Sequence, residues 1–179
     1  MVGKKIELLK EIVPGAMRIA FLSPDNSDGA TGQVAAAREA AATLKFQLVV
    51  AVVRNGDYDQ AFDALVATRP SALLVANSPT FMQDSGQIIK LATKHRLPGM
   101  FEWPEQVEGG GLMAYGPSQV WVAQRVATYV DLIFKGARPA GLPVEQPTKL
   151  QLTINMKTAK AFGLTIPPSL LLRADEVIQ

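Results

Sequence analysis

Runs that are apolar at nearly every position alternate with amphipathic stretches along the first two thirds of the chain. The apolar runs predict strands over 17–22, 46–53, 72–76, 97–103 and 112–115. Apolar residues at helical spacing predict helices over 4–13, 31–44, 57–66 and 80–95. Nearly continuous apolar strands that alternate with helices are typical of a parallel sheet covered on both faces. The predicted fold class is therefore α/β, with a doubly wound parallel sheet.

The pattern changes from Pro117 onwards. A helix predicted over 117–135 is apolar around much of its circumference, and Gly136 is expected to end it. Residues 150–156 alternate strictly between apolar and polar positions, which predicts a strand with one exposed face. A short helix over 157–162 and a helical turn after Pro167 are expected to complete the chain.

Composition and charge exclude several classes of function. The 179 residues are 48% hydrophobic, which is sufficient for one substantial core. The net charge is +2 and the 18 basic residues are scattered, so nucleic acid is not an expected partner. The chain has no cysteine, and its single histidine, His95, falls in the last turn of a predicted helix. These facts argue against zinc sites and a Ser–His–acid triad.

Other sequence signals are also missing. The loop after the first strand has neither a GxGxxG pattern nor a Walker lysine, so no nucleotide cofactor, and no cofactor of any other kind, is expected. The first residues have no uninterrupted apolar run and no small-residue cleavage site, which predicts that this chain carries no signal peptide.

Polar and aromatic residues follow several of the predicted strands. In an open parallel sheet, ligands bind outside the carboxyl ends of the strands, near the point where the strand order reverses. The candidate ligand-binding residues are Ser23, Asp25, Asn26, Ser27, Asn77, Ser78, Phe101, Glu102 and Tyr115. Their hydroxyls, amides, aromatic rings and carboxylates suit a small polar molecule. The alternative is that these residues only form turns and cap helices.

Four segments carry a resemblance to a known family. They are residues 7–15, 110–117, 142–148 and 155–178, and the last, from Asn155 to Ile178, is the most specific. Together they resemble the ABC-transporter substrate-binding family that includes the tryptophan- and tyrosine-binding lipoproteins. The resemblance implies one lobe of a two-lobed type I periplasmic-binding-protein fold.

The resemblance also implies an organisation for the chain. Residues 1–116 would form the second ligand-binding lobe, with the hinge crossing at Tyr115 and Gly116. Residues 117–149 would be a helix and crossing segment that pack on a first lobe, which has no counterpart in this sequence. Residues 150–179 would supply a return strand and the C-terminal helices.

The function implied by the resemblance is capture of a small solute for an ABC permease, outside the cytoplasm in the periplasm or anchored to a membrane. In the family's aromatic amino-acid binders, the loop that matches Ser23, Asn26 and Ser27 presents hydroxyls and helix N-terminal amides to the ligand's polar end. Asp25 and Asp28 add negative charge there, which favours an ammonium or neutral polar group over a carboxylate. None of these residues is expected to be catalytic.

Two other functions stay open at this point. An effector-binding domain of a repressor-type regulator would share the two-lobed fold, although no helix-turn-helix precedes the lobe here. An enzyme, for instance an isomerase that uses Asp25 and Glu102 as an acid pair, is the third hypothesis.

The apolar surface of the 117–135 helix raises the question of what covers it. Without a first lobe, the stripe of Val122, Val126, Val130 and Ile133 would be exposed. This arrangement predicts a homodimer formed through that helix in the chain as it stands. The alternative is that the helix folds back onto its own sheet.

Overall fold

The computed structural model describes residues 1–25, 28–147 and 149–179. The strands are β1 (Arg18–Pro24), β2 (Gln47–Val53), β3 (Ala72–Val75), β4 (Gly99–Phe101), β5 (Met113–Gly116), β6 (Gln151–Asn155) and β7 (Glu176–Ile178). The helices are α1 (Val2–Ile12), α2 (Asp28–Leu44), α3 (Tyr58–Val66), α4 (Pro79–Gln83), α5 (Ser85–Lys94), α6 (Pro104–Glu108), α7 (Gln119–Phe134), α8 (Met156–Ala161) and α9 (Pro168–Leu171). A 3₁₀ helix covers Pro139–Gly141.

The seven strands form one sheet in the order β2-β1-β3-β4-β5-β6-β7. Neighbouring strands are parallel, except that β6 runs antiparallel to β5. The order reverses between β1 and β3, because the chain first adds β2 on one side of β1 and then β3 on the other. The predicted α/β class with a mostly parallel, doubly wound sheet is confirmed.

Helices cover the sheet, so its central strands are buried on both faces. Every residue of β3 and β4 is buried, as are the five central residues of β1. Helix α1 packs against α2, and α3 packs against α5. Asp57 caps α3, since its Oδ1 accepts a hydrogen bond from the Gln60 N–H at 2.9 Å.

The strand near the C-terminus is present, but the prediction of an exposed face is wrong. Four of the five residues of β6 are buried, including the polar Thr153 and Asn155. The reason is that β6 lies inside the sheet between β5 and β7. Strand β7 and helix α6 are too short to give a periodic signal and were not predicted.

The helix predicted over 80–95 is two helices. Helix α4 ends at Gln83 and α5 begins at Ser85, with Asp84 between them. The Asp84 carboxylate accepts a 2.6 Å hydrogen bond from the Tyr58 hydroxyl. This bond connects the start of α3 to the junction between α4 and α5. No helix of the described ranges is long and apolar enough to span a bilayer.

Candidate functional site at the carboxyl edge of the sheet

The carboxyl ends of the parallel strands meet at one edge of the sheet. This edge carries a depression of about 350 Å³ between the loops that follow β3 and β4 and the start of α7. Its lining consists of Asn77, Pro79, Met82, Gln83, Trp103 and Gln119. None of these side chains is charged, so the depression offers amide hydrogen-bonding groups, an aromatic ring and apolar surface.

Asn77 is held at this edge by a glutamine from α2. The Asn77 N–H donates to Gln33 Oε1 at 2.7 Å, and Gln33 Nε2 donates to the Asn77 carbonyl at 2.9 Å. The two bonds fix the backbone of the loop after β3. The Asn77 side-chain amide is exposed and remains available to a ligand. Gln33 lies 44 positions away, so sequence reasoning had no local signal for it.

Trp103 is positioned by a second glutamine, Gln106, which is buried. Gln106 Oε1 accepts hydrogen bonds from the N–H groups of Trp103 at 3.1 Å and Glu102 at 3.3 Å, and Gln106 Nε2 donates to the Phe81 carbonyl at 3.4 Å. The Trp103 ring stays half-exposed in the depression. A glutamine three residues after a helix N-cap is a known capping signal, and it could have identified Gln106 from the sequence.

Glu102, a candidate ligand-binding residue, lies below the surface of this edge. Its carboxylate pairs with the ammonium of Lys5 from α1, and both residues are 3% exposed. Burial lowers the pKa of Lys5, although the Glu102 carboxylate opposes that shift. Glu102 Oε2 accepts the bond from Lys5, while Oε1 has no hydrogen-bond partner among the described residues. The pair therefore joins the N-terminal helix to the end of β4.

The end of β5 lies directly against Glu102. A β-carbon added at Gly116 would stand 2.1 Å from the Glu102 backbone oxygen and 3.1 Å from its Oε1. Such a contact is impossible without displacement of the backbone, so glycine is needed where the chain leaves the sheet. Immediately afterwards, Glu105 Oε1 accepts a 2.8 Å bond from the Gln119 N–H, and Ser118 caps α7.

The remaining candidate residues are distributed over the edge and the core. Ser23 is buried, and its hydroxyl donates to the Pro24 carbonyl at 3.3 Å. Ser78 is buried, Tyr115 is half-buried and Asp25 is exposed. The Phe101 ring is buried near Gly99 and Gly111, so it faces the core.

Of the nine candidates, the structure brings Asn77 into the depression and joins it there with Trp103 and Gln119, which sequence reasoning did not select. Asn26 and Ser27 lie outside the described residues. Asp25 and Glu102 do not form an acid pair, because Glu102 is occupied by Lys5. Within the described part of the chain, no three His, Asp or Glu side chains form a group that could hold a metal ion.

A larger groove of about 520 Å³ lies along α7, outside the sheet. One wall is the apolar stripe of α7, and the other is the extended segment 143–147. Arg125 makes two 2.6 Å hydrogen bonds to the Glu145 carboxylate, and the Tyr129 hydroxyl donates to the Pro143 carbonyl at 2.6 Å. Polar contacts thus connect the two walls, while the apolar surface between them stays open.

Comparisons with known proteins give the chain a family. A family model described as ABC transporter substrate binding protein matches residues 1–178. No curated protein matches the sequence. Among solved structures, a conserved domain protein from Vibrio cholerae O1 biovar El Tor is similar with a TM-score of 0.88 and 25% identity, over 98% of this chain and 60% of that chain.

Two further structures share the fold. The ABC domain from Streptococcus pneumonia, solved in complex with L-Trp, has a TM-score of 0.88 and 23% identity, over 99% of this chain and 62% of that chain. A ligand-free, open substrate-binding protein with adhesive properties from Clostridium difficile has a TM-score of 0.71 and 22% identity, over 98% and 59% of the two chains. The chain thus spans 59–62% of the length of these three relatives.

The model match extends over nearly the whole chain, and the fold matches those of two similar structures with TM-scores of 0.88. This protein belongs to the ABC transporter substrate-binding protein family.

Proposed function

We propose that this chain is the ligand-binding lobe of an ABC importer's solute-binding protein, and that the carboxyl-edge depression forms one wall of its binding cleft. Proteins of the matched family bind a solute outside the cytoplasm and pass it to a transporter permease, and they are not enzymes. The observation that carries the proposal is the placement of the depression: it lies at the edge where doubly wound sheets bind ligands. The family match favours this function over a transcriptional regulator.

The chemistry of the depression supports a small polar solute that presents an uncharged or cationic group to this lobe. The amides of Asn77, Gln83 and Gln119 supply donors and acceptors, and Trp103 supplies a flat apolar surface. Asp25 follows β1, the neighbour of β3 in the sheet, and is exposed; its charge at this edge disfavours an anionic group. An amino acid, bound through its side chain or ammonium group, or a related metabolite fits these constraints.

The organisation of the chain follows the same proposal. Residues 1–116 form the lobe, 117–149 a helix and crossing segment that pack on a first lobe, and 150–179 the return strand and C-terminal helices. Support comes from the longer relatives and from the apolar groove along α7, which nothing in the described ranges covers. We take the first lobe as the occupant of this groove, and the working location as the periplasm or the outer face of a membrane.

The two tryptophans of the chain provide a test of the binding site. Trp103 lies in the carboxyl-edge depression, and Trp121 lies in the α7 groove. In a ¹⁵N NMR titration with amino acids and small neutral metabolites, a binding solute should shift the Trp103 indole N–H and the Asn77 amide. The Trp121 indole serves as the internal control. Because a single lobe leaves much of the ligand's surface exposed to solvent, the solute should bind this chain more weakly than micromolar.

Variants sharpen this test. Trp103→Ala should abolish the solute-induced shift of the Asn77 amide, whereas Gln87→Ala, an exposed position on α5, should leave that shift unchanged. A solute that perturbs Trp121 but not Trp103, or tight micromolar binding by the monomeric chain, would contradict the proposed half-site.

The occupant of the α7 groove is tested by sedimentation. If a first lobe covers it, the chain alone exposes this surface, and two copies are expected to pair through it at high concentration. Val126→Glu and Val130→Glu should then remove the part of the self-association that runs through α7, because each places a charge in the apolar contact. A sedimentation profile that neither substitution changes would show that the α7 surface does not pair.

A further inference from the structure

Strand β2 forms one edge of the sheet and pairs with β1 alone among the described residues. Its sequence from Gln47 to Val53 contains no charged residue, no proline and no glycine, and its register with β1 runs through all seven positions without a bulge. Natural proteins usually protect an exposed edge strand with charges, prolines, bulges or a covering element. This edge has none of the first three.

The backbone groups that β2 leaves unpaired can be identified. The Gln47 N–H donates to the Met17 carbonyl at 2.8 Å, so the polar groups of Gln47 face β1. Alternate residues of a strand direct their backbone groups to opposite sides. Leu48, Val50 and Val52 therefore point their N–H and C=O groups away from the sheet, towards a strand that is not there.

Helices flank this edge without covering it. A groove of about 440 Å³ lies between β2 and α3, and one of about 280 Å³ lies between β2 and α2. Leu48, Val49, Val50 and Val52 are all only half-buried as a result. The edge is accessible from both faces of the sheet.

We propose that β2 pairs antiparallel with β2 of a second copy of this chain, about a twofold axis at Val50, to form a continuous fourteen-stranded sheet. In this register, each Val50 faces the other Val50, and Leu48 faces Val52 of the partner copy. Each of these pairs exchanges two backbone hydrogen bonds, since all three residues direct their polar groups outwards. The contact is isologous and closes on itself, so it forms a dimer and not a filament.

Helix α2 gives this pairing a second layer of contact. It packs on both β1 and β2, and adjacent strands lie about 4.8 Å apart. The α2 helices of the two copies would then lie roughly 10 Å apart, within the usual range for packed helices. Ala35 and Ala42 are exposed small residues, one turn to either side of Arg38 and Glu39, and permit that approach.

The charges on α2 favour a second copy in the reversed orientation. Arg38 and Glu39 are exposed, and neither side chain has an ion-pair partner in the described part of the chain. They are adjacent in sequence and do not face one another within the helix. When two α2 helices lie antiparallel about this point, each Arg38 faces Glu39 of the other copy.

Cysteine cross-linking tests the register directly, because the chain contains no cysteine. Residues directly opposite in a hydrogen-bonded antiparallel pair have Cα atoms about 5.5 Å apart, which suits a disulfide. Val50→Cys should therefore give a covalent dimer under mild oxidation. Leu48→Cys should not, since the Cα atoms of the two copies of this position would be about 15 Å apart. Equal cross-linking of both variants, or of neither, would overturn the proposal.

Sedimentation tests the backbone contact. Val50→Pro removes an outward N–H without loss of a bond to β1, and prolines are tolerated at that position of an edge strand. It should convert the dimer to a monomer, whereas Val50→Thr keeps the N–H and should remain dimeric. Both variants are made in the Val126→Glu background to exclude pairing through α7. The proposal would be overturned if the single variant Val126→Glu were already a monomer, or if adding Val50→Pro to it left the dimer intact.

The charge contact has its own test. Arg38→Glu or Glu39→Arg should each weaken dimerisation by about two- to ten-fold. The double exchange Arg38→Glu/Glu39→Arg should restore it, because a twofold contact places the exchanged charges opposite one another again. Failure of the double variant to recover would show that these residues do not meet across the axis.

Discussion

The sheet and helix α7 are both apolar in sequence, yet they differ completely in what covers them. The sheet and its helices enclose a continuous core that runs from α1 to α9. Helix α7 is more apolar on average than α1, α2, α3 or α5, but none of its residues is buried. Apolar content therefore does not tell where a segment packs within a single chain.

Different interactions hold the two regions in place. The lobe is stabilised by burial, and even its ion pair between Lys5 and Glu102 is enclosed. Helix α7 depends on its N-terminal cap and on exposed polar contacts with the segment 143–147. Exposed contacts of this kind contribute little to stability. The comparison is consistent with the proposal that α7 packs on a first lobe, and three experiments can sharpen or break the contrast between the two regions.

The largest expected contrast is between two phenylalanines. Phe62 in α3 is 0% exposed, whereas Phe134 at the end of α7 is 86% exposed. Phe62→Ala should lower the free energy of unfolding by about 3–5 kcal/mol, because it deletes buried surface and leaves a cavity. Phe134→Ala should change it by about 0.5 kcal/mol or less. Urea denaturation followed by circular dichroism measures both. A substantial loss from Phe134→Ala would mean that α7 packs on the lobe after all.

The next contrast concerns the buried ion pair. Lys5→Met leaves the Glu102 carboxylate buried without its partner and should cost about 3–5 kcal/mol. The double variant Lys5→Met/Glu102→Leu removes both charges and should recover most of that loss, since apolar replacements of buried pairs are often neutral. Urea denaturation of the native chain and the two variants measures these changes in the free energy of unfolding.

The matched control for this pair is the exposed ion pair of α7. Lys135 bonds to Asp131 one helical turn away at 2.8 Å, and both side chains are more than half exposed. Lys135→Met should change stability by only about 0.3–0.5 kcal/mol. If Lys5→Met proves as mild as Lys135→Met, the buried pair is not what joins α1 to the end of β4.

Much of the lobe could be predicted from sequence because its signals are local. Continuous apolar strands predict the parallel sheet, and apolar residues at helical spacing predict the helices that cover it. Burial of β6 could not be predicted, because it depends on β7, a three-residue strand whose residues pair with β6 residues 23 positions earlier in the chain. The break at Asp84 was missed because helical periodicity continues across it, while the hydroxyl that bonds there comes from Tyr58.

The candidate site was less predictable, because tertiary contacts decide which edge residues face solvent. Asn77 and Glu102 both follow buried strands and look equivalent in the sequence. Gln33 bonds to the Asn77 backbone and leaves the Asn77 side-chain amide exposed to solvent. The Glu102 carboxylate is instead buried in an ion pair with Lys5. These partners lie 44 and 97 positions away. No periodicity in one sequence reveals such pairings.

The smallest expected effect is the response of the α7 groove to pH. Hydrogen bonds from Arg125 lower the pKa of Glu145 below its ordinary value, with a further contribution from Tyr129, although partial desolvation opposes the shift. A carboxyl whose folded pKa is lowered contributes stability that is complete above its unfolded pKa. That contribution is lost as the pH falls through the lowered folded pKa.

Acidification through the lowered pKa of Glu145 should therefore loosen the contact between α7 and the segment 143–147. The loosening should appear in the fluorescence of Trp121, which lines this groove, while the NMR signal of the Trp103 indole in the lobe stays unchanged. With Trp103→Phe, the fluorescence reports Trp121 alone. Added salt should weaken the same contact at neutral pH, since the pair is exposed to solvent. Arg125→Gln should abolish the acid transition, and persistence of that transition in this variant would assign it to another group.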